Sequence, residues 1–548
     1  MSVQAIHTAG VRSEPHASWV PMIAIALGQM IMSFNVASLP VALGGMVKSF
    51  GVPPTTIATG IVAYSMLVAG FVMLGAKLCQ RYGATRVFRA AVVMFCLSQI
   101  VMTFSPSAAF MIFAQALCGA AGAVIVPSLV ALIAENYKGR QQATAVGALG
   151  SARAAAGVLA FVIGGILGTY VGWRPVFGIL IAASAIVFLL SFRLRPDEGR
   201  EDVTIDGVGV VLAAAAIICI SFGFNNLNGW GLAVATPNAP FSLFGLSPAP
   251  VLIVVGIVLG QVFLMWTHRR QAAGKTPLLA LEVIDSPEER AAVYAMFSVV
   301  ALEAALNFSV PLYIQIVQGR SPIATAVAMM PFNLTVFVTA MLIVKLYDKL
   351  TPRQIGRYGF TLCTVALLWL AFVVHNDWSE VPVLFGLILF GIGQGALVTL
   401  LFNVLVTASP KELAGDVGSL RGTTNNLAAA VGTAVAGALL VGLLSAIALG
   451  SIAASPKLTP ELQAQVDLDN INFISNDRLR SALERTTAAP EQVNEAVRVN
   501  TEARLRALKL GLLLMAMLSL VTIVPAGRLP NYRPGEIPAD EPNEAKGR

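Results

Sequence analysis

Charge is what this chain has least of. Asp, Glu, Lys and Arg make up 12% of its 548 residues, about half the roughly 25% of an ordinary soluble domain. A fold bathed in water on all sides is excluded. Histidine and cysteine are scarce too. The four histidines, His7, His16, His268 and His375, stand apart, so neither a metal site nor a histidine-based catalytic set is indicated. The five cysteines, Cys79, Cys96, Cys118, Cys219 and Cys363, fall in or beside apolar runs without paired spacing, which excludes a disulfide framework and a zinc site. Alternating ten-residue strand patterns are missing, so a membrane β-barrel is excluded. Gly274-Lys275-Thr276 resembles the end of a phosphate loop, but Arg269 stands where its first glycine belongs and no strand precedes it. An ATP-driven pump is not supported, and no enzyme chemistry or cofactor is expected.

What is present is apolar sequence in long runs. The composition is 56% hydrophobic and mean hydropathy is +0.76. Runs of about 20 residues match the helix length that crosses a hydrocarbon core some 30 Å thick. Breaks at charged or Pro/Gly/Asn-rich points leave fourteen spans, near 20–47, 55–77, 88–105, 108–134, 142–168, 173–192, 206–226, 249–267, 291–316, 322–345, 355–374, 381–407, 418–449 and 507–527. The uncharged stretch between the seventh and eighth leaves room for a re-entrant piece. Net charge is +7, yet the basic residues are dispersed over loops with no basic stripe or interleaved aromatics, so nucleic acid is not the partner. The lipid bilayer is.

Lys77, Arg81, Arg86 and Arg89, then Lys138 and Arg140, then Arg193, Arg195 and Arg200, then Arg269, Arg270 and Lys275, then Lys345, Lys349, Arg353 and Arg357 fall on one side. The positive-inside rule makes that side cytoplasmic. Both termini are then cytoplasmic, residues 1–18 do not form a cleaved signal, and the first span is retained. Segment 450–506 faces outward as a small helical cap, its helix starts marked by Thr459-Pro460-Glu461 and Pro490-Glu491. An internal repeat links KLCQRYGATR (77–86) to KLYDKLTPRQ (345–354). The expected fold is therefore all-α: a tail (1–19), a six-helix bundle (20–192), a linker with two inserted helices (193–290), a second six-helix bundle (291–527) and a tail (528–548).

The fifth span, GALGSARAAAGVLAFVIGGILG, carries small residues at 147, 150, 154, 157, 164 and 168 in one stripe. Gly150, Gly157 and Gly164 are expected to let a second helix approach closely. Arg153 lies beside the stripe and is expected to face the interior.

The order and spacing of several motifs resemble the major facilitator superfamily, specifically its fourteen-helix drug/proton antiporter branch of EmrB/QacA-like multidrug efflux type. They are AKLCQRYGATRVF after the second span, the glycine-rich fifth span, GWRPVF, IDGVG, PLLALEVI, PLYIQIVQGRSP and PKELAGDVGSLRGTTNNLAAAVG. The resemblance implies a major facilitator fold and alternating-access transport. The chain departs from it where the family's proton circuitry sits. Gln80 replaces the usual acid of the loop after span two and Ala76 its first glycine, while Arg81, Gly83 and Arg86 remain. Gln115 replaces the fourth-span arginine, and Ala160 and Phe161 replace a glycine-proline pair.

Glu303 sits well inside the ninth span, where an acid costs about 3 kcal/mol to insert. It is the expected proton carrier, with Arg153 as its expected counter-charge. Gln115, Asn35, Asn307, Asn333 and Asn403, with Phe34, Tyr64 and Phe308, are expected to line a mixed pocket for an amphipathic molecule. Gln80, Arg81, Gly83 and Arg86, facing Lys345, Asp348 and Lys349, are expected to form a cytoplasmic gate between bundles. The expected function is export of amphipathic small molecules in exchange for protons across the inner membrane, by a monomer with room for a periplasmic adaptor. Two alternatives stand beside it: a facilitator or exporter of one metabolite or lipid-like anion held by Arg153, and a non-transporting sensor or assembly factor docking through 450–506.

Overall fold

The computed structural model describes residues 18–137, 139–196, 198–201, 203–237, 239–242, 244–346, 349–375, 381–408, 414–454, 476–484 and 489–531. The first half contains α1 (Val20–Phe50), α2 (Pro54–Tyr82), α3 (Ala84–Thr103), α4 (Ala108–Asn136), α5 (Gly139–Tyr170) and α6 (Arg174–Ser191). An inserted pair follows, α7 (Gly207–Trp230) and α8 (Pro248–Ala272). The second half contains α9 (Pro287–Leu312), α10 (Pro322–Leu342), α11 (Pro352–Val373), α12 (Val381–Ala408), α13 (Ala414–Ala454), the short α14 (Asn476–Leu483) and α15 (Pro490–Ala526). Thirteen helices among the described residues are long and apolar enough to cross a membrane, and α13, 41 residues long, stands in the place of the fourteenth.

Local chemistry fixes the helix starts. Proline at the first or second position opens α2, α6, α8, α9, α10, α11 and α15, where its missing N–H costs nothing. Capping boxes start α9 (Ser286 with Glu289) and α11 (Thr351 with Gln354). Asp206 caps α7 by accepting from the Gly209 N–H at 3.1 Å, and it also accepts from the Trp266 indole at 3.1 Å, which ties α7 to α8.

The packing repeats between halves. In the first, α1 packs on α5 and α6, α2 on α4, and α3 on α4 and α6. In the second, α9 packs on α13 and α15, α10 on α12, and α11 on α12 and α15. Each pair in one half has its counterpart eight helices on, with α15 standing for α6, so the halves are related by an internal repeat. Glycine makes the tightest repeated seam possible. A Cβ on Gly75 or Gly119 would lie 2.2 or 2.4 Å from an α4 or α2 carbonyl oxygen, and one on Gly395 2.5 Å from that of Val336 across the α10–α12 seam. Two further seams join the halves, α2 on α13 and α5 on α10, again symmetry-related. Helix α7 packs on both α2 and α13, so the insert covers one of these two seams.

The insert and the external segment differ from expectation. α7 runs to Trp230, and the described residues of its connection to α8 form no re-entrant helix but a hairpin-like turn with a bridge between Val234 and Leu246. α15 begins at Pro490, not near 507. At about 1.5 Å per residue its 37 residues span some 55 Å, so its first turns project past a 30 Å core. There Leu479, Leu483 and Val493 form a small cluster and Asn476 bonds Thr501 and Asn500. Residues 455–475 lie outside those described.

Candidate functional site

We call the end carrying the basic loops the basic end, and the other the opposite end. Arg153, from the middle of α5, is partly exposed and lies within electrostatic reach of Tyr64 on α2 and Arg421 on α13. One turn to either side, Gly150 and Gly157 have nothing within 4 Å of a Cβ position. This face of α5 therefore looks across open space toward the other half. The close helix contact expected of Gly150 and Gly157 is not made. The approach occurs further along, where a Cβ on Gly165 or Gly168 would lie 2.8 or 3.2 Å from Ala326 or Pro322 of α10, while Gly164 rests on Val41 and Val176.

Glu303 is partly exposed on α9, one turn from Asn307, whose Oδ1 is buried with no hydrogen-bond partner. Among the described residues no ion pair joins Glu303 to Arg153. The expected counter-charge relation is not made: a group within electrostatic reach of Arg153 across the halves is a second guanidinium, that of Arg421. Two like charges within reach of each other favour an anionic group near them. On α13, Asn425 also holds a buried Oδ1 with no hydrogen-bond partner.

Five of the eight pocket candidates are turned into the helix core. Asn35 and Gln115 are 0% exposed. Asn35 Nδ2 donates to Gln115 Oε1 at 3.1 Å, and Gln99 Nε2 donates to Asn35 Oδ1 at 3.3 Å and to the Cys118 sulfur at 3.3 Å. Each of these amides makes at least one such bond, which offsets part of the desolvation cost of burial, while Gln99 Oε1 is buried without a hydrogen bond among the described residues. They hold α1, α3 and α4 together and do not line an open pocket. The network occupies the place of the family's fourth-span arginine. Phe34, Tyr64 and Phe308 are likewise buried. Asn307, Asn333 and Asn403 are partly exposed, with Asn333 Nδ2 donating to Met329 C=O at 3.0 Å.

The gate is also rearranged. Gln80 and Arg86 are exposed. The Gln80 carbonyl accepts from Arg200 N–H at 2.8 Å and Arg81 reaches the Val203 carbonyl at 3.4 Å, so this loop docks on the linker of its own half. Gly83 needs its left-handed φ of 89° to end α2. Lys349 is exposed. Asp348 lies outside the described residues, as does the side chain of Lys345. The pair that does cross between halves at the basic end is Lys77 of α2 with Asp416 of α13, 3.6 Å apart and 7% and 13% exposed. Asp416 precedes the apolar part of α13 and also accepts from the Ala280 backbone, in the segment leading to α9. Burial pushes its carboxyl above the usual range, and Lys77 and the Ala280 N–H pull against that. Exchanging the two residues (Lys77→Asp with Asp416→Lys) is expected to restore most of the thermal stability that either single change removes. A loss in the double variant equal to the sum of the single losses would show that the pair makes no contact of its own.

At the opposite end sequence reasoning missed the main contact. A π-helical turn, Tyr313–Val317, ends α9 and presents Gln315 to α1. Its Oε1 accepts from Gly44 N–H at 2.7 Å and its Nε2 donates to Pro40 C=O at 3.0 Å. Residues 40 and 44 are the two ends of one helical hydrogen bond, so a single amide grips both. A Cβ on Gly44 would lie 2.7 Å from Oε1, which is why glycine is needed there. Nearby, Thr169 of α5 accepts from Ile323 N–H at 3.1 Å. Gln394, fully buried on α12 with both amide atoms lacking hydrogen bonds, was missed as well; the sequence signal was an amide inside GIGQGAL.

Among the described residues no three of His, Cys, Asp and Glu are grouped to hold a metal. The arrangement is a polar, charge-bearing seam between two repeated helical halves, tied by an ion pair at one end and an amide clamp at the other.

Comparison with known proteins agrees with this architecture. A sequence model of the Major Facilitator Superfamily matches residues 25–433. A probable actinorhodin transporter of Streptomyces coelicolor is 26% identical over 412 residues, 71% of this chain and 67% of its own. The multidrug efflux pump LfrA of Mycolicibacterium smegmatis is 24% identical over 451 residues, 82% of this chain and 85% of its own. The tetracenomycin C resistance and export protein of Streptomyces glaucescens is 23% identical over 436 residues, 79% and 77% of the two chains. Among solved structures, an inward-facing bacterial homolog of the human lysosomal transporter Spinster aligns over 94% of this chain and 98% of its own, with a TM-score of 0.60 at 15% identity, a likeness of fold. With its repeated six-helix halves and a match over most of its length, the chain belongs to the Major Facilitator Superfamily and is a multi-pass membrane transporter.

Proposed function

We propose that this transporter exports amphipathic small molecules across the inner membrane in exchange for protons, with the basic end and both termini in the cytoplasm. The observation that carries the proposal is Glu303, a carboxyl held partly exposed at mid-helix in α9, where an acid is retained only at a cost. A proton and a substrate compete for it, so each favours a different arrangement of the halves. The Lys77–Asp416 pair holds the cytoplasmic side and the Gln315 clamp the outer side; both are closed together in this structure, and rocking opens one side while the other stays held. Relatives named for actinorhodin transport, tetracenomycin C resistance and export, and multidrug efflux support export of antibiotics and other drugs. A monomer suffices for this cycle.

The test is transport by purified protein in liposomes, with ethidium as probe and an imposed pH gradient. Ethidium should accumulate against its own gradient only while the pH gradient stands. Equilibration of a carboxylated dye that persists unchanged after an ionophore collapses that gradient would favour the second reading, a facilitator for an organic anion. The guanidiniums of Arg153 and Arg421, within electrostatic reach of each other, are the observation behind that second reading. It predicts preference for a carboxylated dye over ethidium.

A further inference from the structure

The connection between α7 and α8 is built, charge-free and apolar on one face. No Asp, Glu, Lys or Arg occurs between Asp206 and Arg269. Within the connection, Ala235 N–H donates to Gly245 C=O at 3.0 Å and Ser247 N–H to Ala233 C=O at 2.8 Å, around the Val234–Leu246 bridge. Thr236 closes the base, its N–H donating to Trp230 C=O at 3.0 Å and its hydroxyl to Gly229 C=O at 2.6 Å. Side chains of paired strands alternate between faces. Leu232, Val234 and Leu246 therefore share one face, and they are 76%, 72% and 51% exposed. Phe244, just before Leu246 at the turn, is fully exposed at 103% and has a φ of 53°. It is the one non-glycine residue with positive φ among those described. An aromatic residue in left-handed backbone is strained, and leaving its ring in water forgoes the gain of burying it.

We propose that this hairpin lies in the membrane interface, its Leu232, Val234, Phe244 and Leu246 face inserted into the lipid leaflet at the opposite end. Lipid is the occupant because the hairpin continues a lipid-facing surface. It leaves α7 at Trp230, a residue type favoured at the headgroup level, and enters α8 directly at Pro248. Most of the apolar stretch of α8 is left uncovered by the rest of the protein. An uncharged apolar face of this size fits the boundary between headgroups and acyl chains. Since α7 rests on both halves across the α2–α13 seam, the inserted hairpin pins the outer end of a cover over that seam. The inference needs only the membrane spans and not the proton coupling.

Spin labels at Phe244→Cys and, separately, Leu232→Cys, in protein whose partly exposed Cys96 and Cys219 are serine, would report its depth in phosphatidylcholine/phosphatidylglycerol nanodiscs. A label at the exposed Glu491 serves as the water-facing reference. Labels at 244 and 232 should collide more with oxygen, and several-fold less with a water-soluble nickel chelate, than the label at 491. Nickel accessibility equal to that at 491 would overturn the proposal by placing the hairpin in water. Exclusion of both reagents would overturn it as well, by showing a protein partner or a second copy over this face.

Discussion

Glu303→Gln is expected to leave the protein folded while removing gradient-driven efflux. The substitution keeps the side chain's size and its ability to donate and accept hydrogen bonds, and takes away only the titratable proton. Mid-membrane insertion of an acid costs about 3 kcal/mol, so the thermal midpoint of the variant should equal or exceed that of the wild type. Transport should divide in a specific way. Uphill ethidium movement driven by a pH gradient should vanish, whereas exchange of ethidium for ethidium at equal pH should persist, because the halves can still rock around a bound molecule. A variant that still pumps with the pH dependence of the wild type would leave Glu303 as a structural residue and move the coupling elsewhere. Arg153 and Arg421, the charged groups in electrostatic contact across the halves, would then be the next residues to change.

Gln315→Leu should loosen the opposite end. The clamp comprises two hydrogen bonds to α1 backbone, each worth about 1 kcal/mol net, and both are lost together. A two-state equilibrium biased by about 2 kcal/mol shifts on the order of tenfold or more. Gly44→Ala should act in the same direction by a different route, since its new Cβ would meet Gln315 Oε1 at 2.7 Å and push the π turn away. Spin labels at Val52 and Arg320, just past α1 and just before α10, measure the gap. A longer-distance population should appear in both variants and be minor in the wild type. Unchanged distances in both would mean that the α5–α10 contacts at Gly165, Gly168 and Thr169 hold this end closed without the clamp.

Phe161, Gln115 and Gln80 show how far motif resemblance carries. They stand where the resemblance leads one to expect a proline, an arginine and an acid, and the structure shows what two of them do instead. The Gln80 carbonyl accepts from the Arg200 N–H of the linker. Gln115 belongs to an amide network with Asn35, Gln99 and Cys118. Polar residues in an apolar run announce only that their burial is costly. Whether the cost is offset by a neighbouring amide or by contact with a cavity depends on helix rotation, which shifts with each residue of uncertainty in a boundary. The same limit explains Gly150 and Gly157, which share a stripe with Gly164 but meet nothing, because α5 touches α10 only toward its far end.

The class, the helices and their order are legible in the residues alone. Apolar runs long enough to cross a membrane cannot satisfy their backbone in any other way, proline and capping residues mark where each begins, and the 77–86 and 345–354 motifs disclosed the repeat that the packing then displayed. Which side chains meet across the halves is settled by packing alone. Gln315 lies 271 residues from Gly44 and 275 from Pro40, and Lys77 pairs with Asp416 of α13, a contact no motif announces. Such contacts are set by how two rigid bundles abut along α2–α13 and α5–α10, and no local spacing encodes the distance between surfaces that far apart in the chain.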